Sequence, residues 1–358
     1  MNTQKKILKV ITVLSLAMSP MMSYAESGIP IGDGKISTTK PQKGYLYSCE
    51  IPRGGGGAQK AGDWIKNGLW YPDKKPTVNG NIMWKNASLS LSVKDSDRII
   101  TGNSLPLKHG TGTYPVNPLD DAYIYDRNPN TISPQNITLS LPTNPKINKQ
   151  PACVNMGMIG IMLSGAPLYN ALDGEGRDAA AYEIQDACGG HPEMSGQYHY
   201  HNMSTCISQK NNKKQALVGY ALDGFGIYTG YDEIGKKITN KDLDECHGIT
   251  SSVLWNGKNI SIYHYVMTDE FPYSIGCFKG TPKKPTSVNS GSVNNQKMER
   301  RGIQNQTKNT QGGETMPPAE AINACLDKIA GDSCSVGNSQ EMGSCKKRSN
   351  IIACIPSK

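Results

Sequence analysis

Apolar and polar residues alternate in short runs along this chain. The clearest are Ala87-Ser88-Leu89-Ser90-Leu91-Ser92-Val93, Ile137-Thr138-Leu139-Ser140-Leu141 and Ile260-Ser261-Ile262-Tyr263-His264-Tyr265-Val266. A period of two places the apolar members on one face of a strand. Glycine and proline punctuate the chain roughly every ten residues, the spacing of short strands in a sandwich or barrel. The pattern therefore predicts a mainly β domain, sandwich- or barrel-like, rather than βαβ units. One short helix is predicted over Arg177–Asp186. A second is predicted near the end, where Pro317-Pro318 precedes the helical run Ala319–Ala330, with two short strands after it.

The ends of the chain differ from its middle. Lys5, Lys6 and Lys9 precede a short apolar stretch from Val10 to Met22, and Ser23-Tyr24-Ala25 supplies small residues for cleavage. Residues 1–25 thus read as a secretory signal peptide cut after Ala25. The apolar stretch is short for a membrane span, and no internal run reaches 18 apolar residues, so no span is expected after cleavage. Residues 281–316 carry no aromatic residue and read as a disordered polar linker. It separates a large domain, 26–280, from a Cys-rich C-terminal module, 317–358.

Charge follows the same division. The formal net charge of +8 falls to +5 without the three signal lysines. Residues 281–316 carry six basic and two acidic residues, and 317–358 carry five and four. That leaves 26–280 with 24 of each sign and no net charge, so the domain lacks the electrostatics for nucleic acid.

All ten cysteines follow the predicted cut. An even number without close CxxC pairs fits disulfides in an oxidising compartment, periplasmic or extracellular. Cys188 and Cys206 enclose one histidine-bearing segment, and Cys246 and Cys277 enclose another. Cys49 and Cys153 then remain to pair. Cys325, Cys334, Cys345 and Cys354 are expected to form two staples in the tail, a small α+β module with too little core of its own; three pairings are possible.

Five of the six histidines fall between 191 and 264. In Gly196-Gln197-Tyr198-His199-Tyr200-His201, a strand would project His199 and His201 together, with the tyrosines on the other face. Two pre-oriented imidazoles suit a transition metal, copper or zinc. His191, His247 and His264 are candidate further ligands, and Asp223 a carboxylate orienting one of them. Met156, Met158 and Met162 are expected to line a core.

Other chemistry finds little support. Gly54–Gly57 lacks the GK[ST] of a phosphate loop, Met162-Leu163-Ser164-Gly165 lacks the first glycine of GxSxG, and no HExxH occurs. The acidic run Asp242-Leu243-Asp244-Glu245 fails the EF-hand pattern and reads as a solvated turn. Ala171-Leu172-Asp173-Gly174-Glu175-Gly176 resembles Ala221-Leu222-Asp223-Gly224-Phe225-Gly226, and Tyr198-His199-Tyr200 recurs as Tyr263-His264-Tyr265. This suggests a faint internal repeat, although an Asp-Gly pair is first of all a turn.

The ordered blocks Gly189-Gly190-His191-Pro192, Gly196 to His201, Gly219 to Tyr228, Leu243 to Gly248, Tyr263-His264-Tyr265 and Phe271 to Phe278 resemble the YHYH domain. The resemblance is strong over about 150–280 and extends toward residue 45. It implies an exported bacterial domain and assigns no activity. In relatives the second block also reads Tyr-His-Tyr-His, whereas here it ends in Val266, one imidazole short of a symmetric two-site arrangement.

The resulting expectation is an exported, disulfide-stabilised protein that binds copper or zinc in a structural or metal-handling role. Two alternatives stand beside it. A metal-dependent hydrolase of an extracellular polymer would need a cleft at His199 with Glu193 or Glu245 as base. A glycan- or envelope-binding module without metal would need an exposed platform from Trp64, Trp70, Trp84 or Trp255. No catalytic residue or protein partner is assigned.

Overall fold

The computed structural model describes residues 28–285, except 53, 55–57, 59 and 212, together with Ser287–Val288 and parts of 321–356. The signal peptide predicted over 1–25 and most of the linker predicted over 281–316 lie outside the described residues, as does much of the helical run predicted over Ala319–Ala330.

The described residues are mainly β, with two short α-helices among them, Ala179–Tyr182 and Thr205–Asn211. The helix predicted over Arg177–Asp186 is a single turn. The Asp178 side chain accepts from Ala181 N at its start, and the backbone turns extended at Glu183. Four residues offer too few helical hydrogen bonds to extend further, and packing takes over.

An eight-stranded sheet forms the centre. Its first four strands in sequence are Met158–Met162, Pro167–Tyr169, Gly190–Pro192 and Tyr198–Tyr200. The next four are Leu217–Ala221, Gly226–Tyr228, Gly248–Trp255 and Lys258–Val266. Each set makes the same connections. An antiparallel hairpin leads to a parallel crossover, and the crossed strand pairs antiparallel with the one before it. The two sets join antiparallel through Met158–Met162 and Leu217–Ala221.

The Ala-Leu-Asp-Gly resemblance does not follow this relationship. Asp223 sits in the hairpin turn between Leu217–Ala221 and Gly226–Tyr228, where the first set has Ser164. Asp173 sits after the hairpin, where the second set has Asp232. The recurrence of Tyr198-His199-Tyr200 as Tyr263-His264-Tyr265 does follow it, because both triplets lie on the crossed strand.

A second sheet takes in the other two alternating runs, as Leu89–Lys94 and Ile137–Pro142, with Asp97–Gly102 between them and Ser287–Val288 at its edge. In Ile137–Pro142 the apolar positions are buried and the polar ones half-buried, as a period of two requires. Arg98 ties this sheet to the central one. Its guanidinium lies 4.0 Å from the Tyr220 ring and 4.9 Å from Trp255, and it donates to Asn256 Oδ1.

All ten cysteines are paired, as Cys49–Cys153, Cys188–Cys206, Cys246–Cys277, Cys325–Cys345 and Cys334–Cys354. The tail carries three strands rather than two: Ser333–Ser335, Met342–Arg348 and Ile351–Pro356. Among the described residues, no helix is long and apolar enough to cross a membrane.

Candidate metal centre

The Tyr198–Tyr200 strand is buried on both faces. On one face, Tyr198 donates to the Asp186 carboxylate, and the Tyr200 hydroxyl meets His109 Nε2 at 2.6 Å and Ser164 Oγ at 3.1 Å. On the other face, His199 and His201 project together, as the spacing predicts. His191, on the adjacent strand, stands directly opposite His199. The ligand atoms of His191, His199 and His201 all lie within 4.8 Å of one another, and all three residues are buried.

Backbone carbonyls orient two of these rings. His199 Nδ1 bonds Gln197 O at 3.0 Å and His201 Nδ1 bonds Asn170 O at 2.5 Å. A carbonyl only accepts, so each Nδ1 carries the proton and each Nε2 presents a lone pair. Those two Nε2 atoms face each other at 3.1 Å. Two lone pairs at that distance repel unless a proton or another cation lies between them. Tyr169 stacks on His199 with ring centroids 3.8 Å apart, which holds the ring in plane.

Glu183 completes the cluster. It is the first residue beyond the Ala179–Tyr182 turn, and its Oε2 lies 3.1 Å from His201 Nε2 and 3.3 Å from His191 Nε2. Neither contact has the angle of a hydrogen bond. Glu183 Oε2 and both nitrogens of His191 are buried without a hydrogen-bond partner. Buried polar atoms in that state are costly unless a cation meets them. Bonds of about 2.0–2.2 Å to one ion would set neighbouring donor atoms roughly 3 Å apart, close to the separations here.

The electrostatics agree. Burial pushes the Glu183 carboxyl up, but the His191 and His201 imidazoles outweigh it and hold it well below the usual carboxylate range. Burial pushes His191 down, and the Glu183 charge reverses this to a net rise. Burial, followed by the neighbouring His191 and His201, drives His199 well below its ordinary value. Glu183 is thus held as a carboxylate whose charge favours a proton on His191, whereas His199 is held neutral.

A cavity of about 550 Å³ opens onto the cluster, lined among others by Tyr169, Glu183, His191, Glu193, His199 and His201. Met156 and Met194 also border it, so Met156 is part of a pocket wall rather than only core. Met162 is fully buried.

The other expected residues lie elsewhere. His264 donates through Nδ1 to Ile262 O and packs edge-on against Tyr228. His247 meets the Thr268 hydroxyl. Neither joins the three-histidine group, because both belong to the second set of strands. Asp223 orients no histidine; its carboxylate accepts from Tyr265 Oη at 2.6 Å and from Gly280 N at 2.9 Å. Glu245 pairs with Lys279, away from His199, and Asp244 is a structural turn residue accepting from Cys246 N, Gly248 N and Tyr263 Oη. Trp64, Trp70 and Trp255 are buried, and Trp84 is half-buried with its indole donating to Thr111, so they form no exposed platform. Two Cys-containing groups with metal-like spacing, one with His109, consist of cysteines already held in disulfides.

Fold and cluster together define a disulfide-stapled β domain with a metal-competent pocket. Residues 138–237 match the family model described as YHYH protein, so the chain carries a YHYH domain over that segment. The segment contains Glu183, His191, His199 and His201 and ends before His247 and His264. No curated protein and no solved structure matches the chain.

Proposed function

We propose that this is an exported protein that binds one transition metal ion, copper or zinc, through His191, His199, His201 and Glu183. The observation that carries this reading is the pair of Nε2 lone pairs facing each other at 3.1 Å, each fixed by a carbonyl on its Nδ1. A single shared proton would relieve that contact. It would leave Glu183 Oε2 and both nitrogens of His191 without hydrogen-bond partners. A metal ion between the two Nε2 lone pairs also meets Glu183 Oε2 and one nitrogen of His191. The complete set of disulfides supports an oxidising compartment.

The test is metal content. Protein made in an oxidising compartment, purified without chelators or a His tag, is analysed by elemental mass spectrometry. About one equivalent of copper or zinc is expected, and it is lost in His199→Ala/His201→Ala. A folded wild type that takes up neither metal after reloading overturns the reading.

A second reading, a metal-dependent hydrolase, is favoured by one observation: Glu193 lines the same cavity as the histidines. A carboxylate beside an open metal position is the arrangement that activates water. Under this reading, Glu193→Gln keeps the metal and abolishes hydrolysis of polymeric substrates.

A further inference from the structure

We infer that the central sheet is a duplicated half-domain, and that its second copy contains a dismantled counterpart of the metal site. This rests on the metal reading above for what the first copy does, but the equivalence itself is geometric.

Ile161 and Tyr220 face each other across the join and mark the local two-fold relationship. The hairpin turns match: Gly165 N donates to Met162 O, and Gly224 N to Ala221 O. Asp173 Oδ1 accepts from Glu175 N and Arg177 N, and Asp232 Oδ1 accepts from Ile234 N and Lys236 N. Asp186 Oδ1 accepts from Cys188 N, Gly190 N and Tyr198 Oη. Asp244 Oδ1 accepts from Cys246 N, Gly248 N and Tyr263 Oη. Even the left-handed position recurs, with Gly189 at φ 78° and His247 at φ 68°.

The ligand positions then read off directly. His199 corresponds to His264, and both donate Nδ1 to the carbonyl two residues earlier, at 3.0 Å. His191 stands opposite His199, and Ile249 stands opposite His264. His201 corresponds to Val266. The carboxylate position has turned away: Ala179 N donates to Ala171 O as Ile238 N does to Gly230 O, and four residues on from each stand Glu183 and Asp242. Asp242 folds back onto the backbone and hydroxyl of Thr239.

In place of the polar cluster, the second copy has an apolar one. Ile238, Leu243 and Val266 form a small separate core with Ile249 packed against it. His264 Nε2 is left buried beside it without a partner. That orphaned nitrogen is the remnant of the site: same strand position and same carbonyl anchor, without the other ligands.

The test rebuilds what is missing. Ile249→His/Val266→His in the full chain, given zinc, is expected to bind about two equivalents against one for wild type, and His264→Ala in that background returns it to one. Val266→His alone is the milder variant. It recreates the His199/His201 pair and is expected to bind additional Cu(II), where Val266→Ala binds none. Folded variants with wild-type metal content overturn the inference. Failure of both variants to fold overturns it as well, because the equivalence requires position 266 to accept an imidazole as position 201 does. Wild type measured in parallel separates the two readings. No metal in wild type sinks the first, whereas metal in wild type without gain in the variants sinks only this one.

Discussion

Glu183 reaches His201 from outside the two strands that position the histidines, its Oε2 3.1 Å from His201 Nε2. The carboxylate is therefore the one component of the cluster whose position depends on the Ala179–Tyr182 turn rather than on the sheet. Glu183→Gln keeps the size of the side chain and removes the charge. It is expected to lower metal affinity by at least the factor of about 10–100 that losing a mere orienting partner of a metal ligand costs. Competition with a chromophoric chelator measures this, and an unchanged affinity would remove Glu183 from the ligand set.

The Cys188–Cys206 disulfide closes the loop leading into Gly190–Pro192, with a sequence separation of 18. The Cys49–Cys153 bond spans 104 residues and touches no ligand strand. Chain entropy assigns about 3 kcal/mol to the shorter loop and about 4.7 kcal/mol to the longer. Cys49→Ala/Cys153→Ala is expected to lower the urea midpoint more while leaving metal affinity alone. Cys188→Ala/Cys206→Ala is expected to do the reverse. Paired denaturation and zinc titrations would reveal whether stability and affinity separate in this way.

His247 gives the metal-free protein an acid-sensitive term. Burial lowers its pKa to about 3 from the ordinary 6.5. Between those values the unfolded chain binds the proton and the folded one does not. The contribution to stability is thus complete above pH 6.5 and is lost as pH falls towards 3. Between pH 6.5 and 4.5 the loss is about 2–3 kcal/mol. His247→Asn tolerates the left-handed backbone at φ 68° and does not titrate. Its urea midpoint should fall less steeply over that range than the wild type's; parallel pH profiles would exclude the assignment.

Gly190 is packed so closely that a methyl group on it would lie 2.3 Å from the Tyr198 hydroxyl, and one on Gly248 would lie 2.2 Å from that of Tyr263. Gly190→Ala must displace Tyr198 from Asp186 or shift the strand that carries His191. Overpacking of this kind costs roughly 1–3 kcal/mol. A melting temperature lowered by several degrees, with weakened metal binding, is expected for Gly190→Ala. Gly248→Ala should lower the melting temperature alone.

The legible part of the site was local. His199 and His201 are two apart, and a strand places such residues on one face whatever surrounds it. His191 is one of three candidate further ligands in the sequence, and only the hairpin turn at Glu193–Gly196, which sets Gly190–Pro192 against Tyr198–Tyr200, singles it out. Glu183 was hidden because its approach depends on where a four-residue helix stops, and that stop follows from packing rather than from helix propensity. His247 and His264 misled through composition: close to the other three histidines along the sequence, both belong to the second set of strands. The Ala-Leu-Asp-Gly resemblance misled in the opposite way, pairing a hairpin turn with a loop. The β class was readable from alternation in Ile137–Leu141, but the Pro167–Tyr169 and Tyr198–Tyr200 strands are three residues each, with only Tyr169 partly exposed, so no apolar–polar alternation marks them.

Tyr200 and Tyr265 occupy matching places on matching strands, one backed by His199 and His201, the other by His264 and Val266. The polypeptide therefore carries its own internal reference. A spectroscopic or exchange signal that answers to metal should move at Tyr200 and stay still at Tyr265, while one that answers to temperature, salt or denaturant should move at both. Two probes of the same chemistry within a single molecule separate occupancy of the site from loosening of the sheet, with no second sample for comparison.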